Sequence, residues 1–396
     1  VSLNLLKRPE KPAPIRKTLI MQFEQFLEQL AKRGGSDLFI SAGAPPSIKI
    51  NGELTPLTDH PLSPEQTREL VFGVMDETLL ERFTQEHECN FAISASGIGR
   101  FRVSAFYQRN LVGMVLRRIE TTIPTLEQLK LPEVLKSLVM AKRGLVLFVG
   151  ATGTGKSTSL AALINHRNHN SSGHILCVED PIEFMHRHQK SLITQREVGL
   201  DTESFEIALK NALRQAPDVI MIGEVRTREA MRYALTFADT GHLCLATLHA
   251  SNADQALERI INFFPADEHH QIWLDLSLHL KGIVAQQLVK NTDGNGRSAV
   301  IEVLLNTPLV SDQICKGEVK TLKDLMKRST QHGMQTFDQA LFRLYRSGTI
   351  SYEDALHHAD SANDLRLMIK LDAETNSQRL LSKVSEGLSF TLDMDD

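Results

Sequence analysis

The chain has 396 residues, with 44 Lys and Arg against 48 Asp and Glu, so that 23% of positions are charged and the formal net charge is -4. This mixture excludes a disordered tail protein or a highly charged nucleic-acid coat, and it offers no bulk attraction to phosphate backbones. A chain of this length holds two or three domains, each able to bury its own core.

In chain order, residues 1–17 carry Pro9, Pro12 and Pro14, lack the long apolar region of a secretory signal, and are expected to form a flexible arm. Over residues 19–33, Ile20, Phe23, Phe26, Leu27 and Leu30 recur at helical spacing, and Gly34-Gly35 closes the run. Residues 37–41 and 47–50 read as short strands, with Asn51-Gly52 as a hairpin turn of the primed type. Helical stretches at 64–73 and 76–86 precede three alternating stretches, 89–94, 100–108 and 112–119, that suit an antiparallel sheet. Residues 18–120 thus read as a small α+β domain, and 121–131, bounded by Pro132, as a linker.

Beyond Pro132 the rhythm changes. Stretches 145–149, 175–178, 219–222 and 243–247 are short and densely apolar with helical material between them, as buried parallel strands of an α/β domain over 132–305 would be. Stretches 322–328, 337–347, 351–359 and 362–371 are helical, making 306–371 an all-α end region. Residues 372–396, ending Asp393-Met394-Asp395-Asp396, are expected to be a loose acidic tail. No apolar run approaches the roughly 20 residues that cross a bilayer, so a soluble protein is expected. The four cysteines, Cys89, Cys177, Cys244 and Cys315, have no C-x-x-C spacing, which argues against a zinc knuckle or a disulfide framework.

Chemistry concentrates in the second region. Gly150-Ala151-Thr152-Gly153-Thr154-Gly155-Lys156-Ser157 matches G-x-x-x-x-G-K-[ST], directly after an apolar strand and directly before a helical stretch opening at Thr158. Glycines let successive N–H groups converge on phosphate oxygens, Lys156 reaches the β and γ phosphates, and the Ser157 hydroxyl holds Mg²⁺. ATP and Mg²⁺ are the expected cofactors.

A cradle alone hydrolyses nothing. Glu224 follows the strand 219–222, placed to orient the Mg²⁺ shell or polarise a water. A second acidic group, Glu179-Asp180-Pro181-Ile182-Glu183, follows strand 175–178, where Pro181 forces a turn. Glu183 or Glu224 is the candidate general base, and Ser157, Glu179 and Glu224 are the candidates for contact with Mg²⁺ through ATP and water. His249, closing another apolar strand, is a candidate sensor of the γ phosphate, with a packing histidine as the competing reading; for His242 the packing reading is favoured. In the first region Arg100, Arg102, Arg109, Arg117 and Arg118 cluster on strands. They form either a solvated basic face or fingers for a neighbouring subunit's triphosphate. Arg226, Arg228 and Arg232 could carry strain from the site toward an interface.

At these residues the sequence resembles the secretion-superfamily ATPases, most closely the type IV pilus retraction ATPases of the PilT and PilU type. The marks are Gly150 to Ser157 as phosphate loop, Val178-Glu179-Asp180-Pro181-Ile182-Glu183-Phe184 as aspartate box, Gly223-Glu224-Val225-Arg226 as Walker B segment, and Thr240-Gly241-His242-Leu243 through Thr247-Leu248-His249-Ala250-Ser251-Asn252 as histidine box. Gln286-Gln287-Leu288 resembles the family's segment before its helical end. The resemblance implies an α/β, RecA-like P-loop ATPase domain preceded by a PAS-like α+β domain. It further implies a homohexameric cytoplasmic ring beneath an inner-membrane pilus platform protein, ATP-driven pilus retraction and twitching motility. The family's arginine roles fall on Arg102 and Arg117. The absence of a four-cysteine module and of a longer N-terminal extension argues against the assembly and secretion branches. Leu309-Val310-Ser311-Asp312-Gln313-Ile314, replacing the family's alanine-isoleucine-arginine-asparagine helix, points to the accessory PilU-like branch, with a PilT-like retraction ATPase as partner. A nucleic-acid translocase with the same core would expect a basic binding element, which the slight acidity does not supply; no nucleic-acid partner is expected. A slow nucleotide-dependent scaffold is the third reading.

Overall fold

The computed structural model describes residues 14–50 and 52–386. The chain divides into two compact units, Val1–Thr122 with Ile182–His186, and Ile123–Pro181 with Arg187–Asp396.

The first unit begins with α1 (Pro14–Lys32), followed by β1 (Asp37–Ser41), β2 (Ser47–Ile50), β3 (Glu53–Pro56), α2 (Pro64–Gly73), α3 (Glu77–Glu86), β4 (Glu88–Ala95), β5 (Gly99–Gln108) and β6 (Leu111–Ile119). The antiparallel sheet runs β3-β2-β1-β6-β5-β4. Leu27 and Leu30 of α1 are fully buried, as are Leu38, Ile48, Phe101 and Leu116 on the strands. Both helices that follow start on side-chain caps, α2 on a Ser63/Gln66 capping box and α3 on Asp76, so their boundaries are set by sequence. The helix expected from residue 19 starts earlier, at Pro14, inside the expected arm; proline suits the first helical position because its missing N–H has no partner there. Residues 1–13 of that arm lie outside the described residues. So does Asn51 of the expected hairpin, although Ile50 pairs with Glu53 and Gly52 takes a φ of +91°. The segment Ile182–His186 joins this unit through a bridge between Phe184 and Glu120.

The second unit comprises α4 (Val134–Val139), β7 (Gly144–Val149), α5 (Lys156–Asn170), β8 (Gly173–Glu179), β9 (Ser191–Glu197), α6 (Phe205–Ala212), β10 (Val219–Ile222), α7 (Arg228–Asp239), β11 (Leu243–Leu248), α8 (Ala253–Ile261), α9 (His269–His279), β12 (Leu280–Lys290) and β13 (Arg297–Leu305). Its sheet runs β13-β12-β7-β11-β10-β8-β9; every pairing is parallel except β12 with β13. Strands β7, β10 and β11 are buried along their whole length, so their apolar runs are continuous, not alternating. Leu145, Leu147 and Val149 join the core that includes Met231 of α7 and Leu257 of α8, while Val146 and Phe148 join the opposite core with Leu160 and Leu163 of α5.

Strands β9, β12 and β13 were not anticipated. Thr194-Gln195-Arg196 makes β9 polar, and β12 begins at the residue after α9 ends, with no turn signal between them. Residues 123–131, expected as a linker, belong to this unit, with Leu126 and Leu131 buried beside Leu135 and Val146. The helical end consists of α10 (Pro308–Lys316), α11 (Leu322–Arg328), α12 (Phe337–Arg346), α13 (Tyr352–His358) and α14 (Ala362–Glu386). Helix α14 continues through much of the expected tail, and residues 387–396 lie outside the described residues. Among the described residues no helix is long and apolar enough to cross a membrane.

Candidate active site

Parallel register builds the site. Val149 of β7 lies beside Leu248 of β11, Ala246 of β11 beside Ile222 of β10, and Ile222 beside Val178 of β8. The carboxyl ends of these strands and the segments after them, residues 150–157, His249, Gly223-Glu224 and Glu179-Asp180, therefore lie at one edge of the sheet, where α/β folds hold ligands.

The phosphate loop is pressed against the adjoining strand. Ala285 of β12 pairs with Val149, so Gln286 stands beside Gly150. A Cβ on Gly150 (φ +154°) would meet the Gln286 carbonyl oxygen at 2.6 Å, and one on Gly155 (φ +83°) would meet Gln286 Nε2 at 2.9 Å; only glycine fits. Gln286 is 2% exposed and donates Nε2 to the Thr154 carbonyl at 2.8 Å, while its Oε1 is buried without a hydrogen-bond partner. The sequence marked Gln286 only as part of a family-like segment, and its role as an anchor was missed because β12 itself was missed. Helix α5 starts after Gly155 with no side-chain cap, leaving its first-turn N–H groups open to an anion. Ala151, Thr152, Gly153 and Ser157 are exposed at this mouth, and Thr158 lies in the first turn of α5.

Lys156 Nζ donates to the carbonyls of Gly150 at 2.7 Å and Ala151 at 2.9 Å. Burial lowers its pKa, and the nearby negative charge of Glu224 works against that shift. Glu224 is held from both sides. Its Oε1 lies 2.7 Å from His249 Nε2, and its Oε2 accepts from Arg226 at 2.6 Å. His249 Nδ1 lies 3.3 Å from the Gly150 carbonyl, so the ring bridges the acidic residue and the phosphate loop. The turn carrying Glu224 is tied to β11 by Thr247, whose hydroxyl donates to the Gly223 carbonyl and whose own carbonyl accepts from Val225 at 2.8 Å.

The structure thus brings Lys156, Glu224 and His249 together. Asp180 approaches through Arg226, 3.7 Å away, whereas Glu179 accepts from Gln195 at 2.9 Å. His242 stands at the amino end of β11, the opposite end from His249, with Thr240 as neighbour. Glu183, expected as an alternative base, lies in Ile182–His186, which groups with the first unit, and within the second unit Glu224 is the acidic residue that contacts His249 beside the phosphate loop. Arg228 and Arg232 both grip Glu268 and lie over the Phe264 ring, which makes them braces of the α7 packing. In the first unit Arg102 and Arg117 pair directly across β5 and β6, and Arg117 also binds buried Asp37 at 2.8 Å. Like charges directly opposite are unfavourable without a counter-charge, and Asp37 supplies one.

The family profile described as Type II/IV secretion system protein matches residues 13–375. The chain belongs to the Type II/IV secretion system protein family. Within that family it is 70% identical to the type IV pilus ATPase PilU of Pseudomonas aeruginosa, over 95% of this chain and 98% of that protein. It is 40% identical to the type IV pilus retraction ATPase PilT of the same organism, over 86% of this chain and 98% of that one. A crystal structure of the pilus retraction motor PilT with bound ADP superimposes with a TM-score of 0.81 at 38% identity, covering 87% of this chain and 98% of that one. The Legionella pneumophila ATPase DotB superimposes with a TM-score of 0.67 at 25% identity, over 88% of this chain and 96% of that one.

Proposed function

We propose that the chain is an ATP-hydrolysing motor that powers or assists type IV pilus retraction and twitching motility, working as the accessory partner of a PilT-like ATPase. The observation that carries this reading is the convergence of Lys156, Glu224 and His249 on one sheet edge, beside a phosphate loop with no room for a side chain at Gly150 or Gly155. The relatives named as pilus ATPases, and the PilT structure that holds ADP, support it.

In this reading the amides of 151–157 cradle the phosphates, and Lys156 leaves the Gly150 and Ala151 carbonyls for the β and γ phosphate oxygens. Glu224 orients the attacking water, with Arg226 and His249 fixing its two oxygens. His249 contacts both Glu224 and the loop, so a change at the γ phosphate moves the segment leading into α8. Among the described residues no cluster of His, Cys, Asp or Glu forms a metal cage. Mg²⁺ therefore fits here only with the phosphates as its main ligands, the Ser157 hydroxyl and carboxylate-bound water completing the set. Bound there, it would neutralise charge that develops on the phosphate oxygens. Arg102 and Arg117 act on a neighbouring protomer's triphosphate in a homohexamer, and an inner-membrane pilus platform protein receives the motion at the cytoplasmic face.

Phosphate release by Glu224→Gln tests the site. The variant is expected to bind ATP as the wild type does and to lose turnover by about 100-fold or more. Release at the wild-type rate would remove Glu224 from the chemistry.

A further inference from the structure

Glu302 lies in the middle of β13 and is 2% exposed. Its Oε1 accepts the N–H of Ala253, the first residue of α8, at 2.9 Å, while its Oε2 is buried with no hydrogen-bond partner. Ala253 follows His249 by four residues, across a turn that Asn252 closes by capping α8. The carboxyl group therefore fixes one end of the segment whose other end touches Glu224 and the phosphate loop.

The charged groups facing Glu302 come from three other places: Asp254 on α8, Lys323 on α11, and Asp360 between α13 and α14. Lys323 pairs with Asp360, and Asp338 of α12 accepts the N–H groups of Asp360 at 2.9 Å and Ser361 at 3.4 Å. Asp338 also interacts electrostatically with Lys323 and Asp360. Four carboxyl groups and one ammonium make up this knot, and Glu258 of α8 adds a further carboxylate beside Asp254. Ionising buried Glu302 among these carboxyl groups is unfavourable, so a proton stays with it. The buried Glu302 oxygen without a partner is its natural seat. Burial pushes Glu302 up to about 7, against the hydrogen bond from Ala253 and the charge of Lys323, and pushes Asp254 up to about 6, against Lys323.

We propose that Glu302 is a positioning residue for ATP hydrolysis: protonated in the active form, its carboxyl group holds the start of α8 and, through it, His249. The helical end then bears on the phosphate site, because whatever moves Lys323 or Asp360 changes the charge that Glu302 feels. Ionisation of Glu302 strengthens its hold on the Ala253 N–H, but it also draws Lys323 away from Asp360 and repels Asp254, and the shift of Asp254 disturbs the first turn of α8. The proposal rests on the roles given above to Glu224 and His249.

Steady-state phosphate release by the full chain, measured from about pH 5.5 to about pH 8.5, provides the test. The wild-type kcat is expected to fall as pH rises through about 7, while KM for ATP stays within about twofold. Glu302→Gln keeps an acceptor for Ala253 and mimics the neutral carboxyl, so its kcat is expected to lose the fall near pH 7. Glu302→Ala should lower kcat about tenfold with little change in KM, and Glu302→Gln should rescue it. Should the alanine variant fail to fold, Lys323→Met serves in its place. Loss of the ammonium lets the knot keep its proton longer, which moves the wild-type inflection up by about one pH unit. Coincident wild-type and Glu302→Gln profiles, or an inflection that stays put or falls in Lys323→Met, would overturn the proposal. Glu224→Gln run in parallel separates the two readings: normal turnover there overturns the site, whereas a lost pH inflection in Glu302→Gln bears on Glu302 alone.

Discussion

At the residue scale, Lys156 was legible because phosphate binding demands particular residue types at fixed spacing, and Glu224 because it follows an apolar strand at the edge where α/β sheets hold ligands. His249 was legible as a candidate only; its contacts at 2.7 Å with Glu224 and 3.3 Å with Gly150 depend on strand register that no local pattern reveals. Gln286 was hidden for the same reason. Its amide holds the loop at Thr154 from a strand more than a hundred residues away in sequence. Gln286→Leu keeps the apolar stem and removes one buried hydrogen bond, which is worth about 1 kcal/mol. Nucleotide titration should show ADP affinity reduced by about five- to tenfold, with melting behaviour close to wild type. An unchanged dissociation constant would mean that the loop keeps its shape without this anchor.

Individual elements divide cleanly into those that local signals announce and those that they do not. Helices α2, α3, α6, α7, α8, α10, α12 and α13 all begin at Ser, Thr, Asp or Asn caps whose side chains accept an N–H of the first turn. Helices α4, α5, α9 and α11 start without such a cap, and in α5 the uncapped start follows the phosphate loop directly. Continuous apolar runs gave β7, β10 and β11, but β12 and β13 form an antiparallel extension whose polar members, Gln286, Gln287 and Glu302, mask it. Glu302 also sets a pH dependence of stability. Its folded pKa, about 7, exceeds the ordinary value of 4.5, so the folded state holds a proton that the unfolded chain releases earlier. That contribution is complete below about pH 4.5 and is lost as pH rises through about 7, with a span of order 3 kcal/mol. Glu302→Gln lacks the titration. The melting temperature of the wild type relative to this variant should therefore fall between about pH 5 and about pH 8, and a constant difference would contradict the buried-proton account.

For the whole molecule, the α/β class and the helical end followed from apolar rhythm, whereas unit boundaries did not. Residues 123–131 carry Leu126 and Leu131 into the second core, and Ile182–His186 returns to the first unit, which no composition shift marks. That return also assigns Glu183 to the first unit and Glu179 to the second. The central claim is spatial: one edge of the second sheet gathers loop, acid and histidine around a triphosphate. A crystal structure of the chain with a nonhydrolysable ATP analogue and Mg²⁺ measures it directly. The account predicts phosphates against the amides of 151–157, Lys156 Nζ moved from the Gly150 and Ala151 carbonyls onto a phosphate oxygen, and Glu224 facing the γ phosphate. A nucleotide bound elsewhere, or bound in the loop with Glu224 turned away from the γ phosphate, would contradict it.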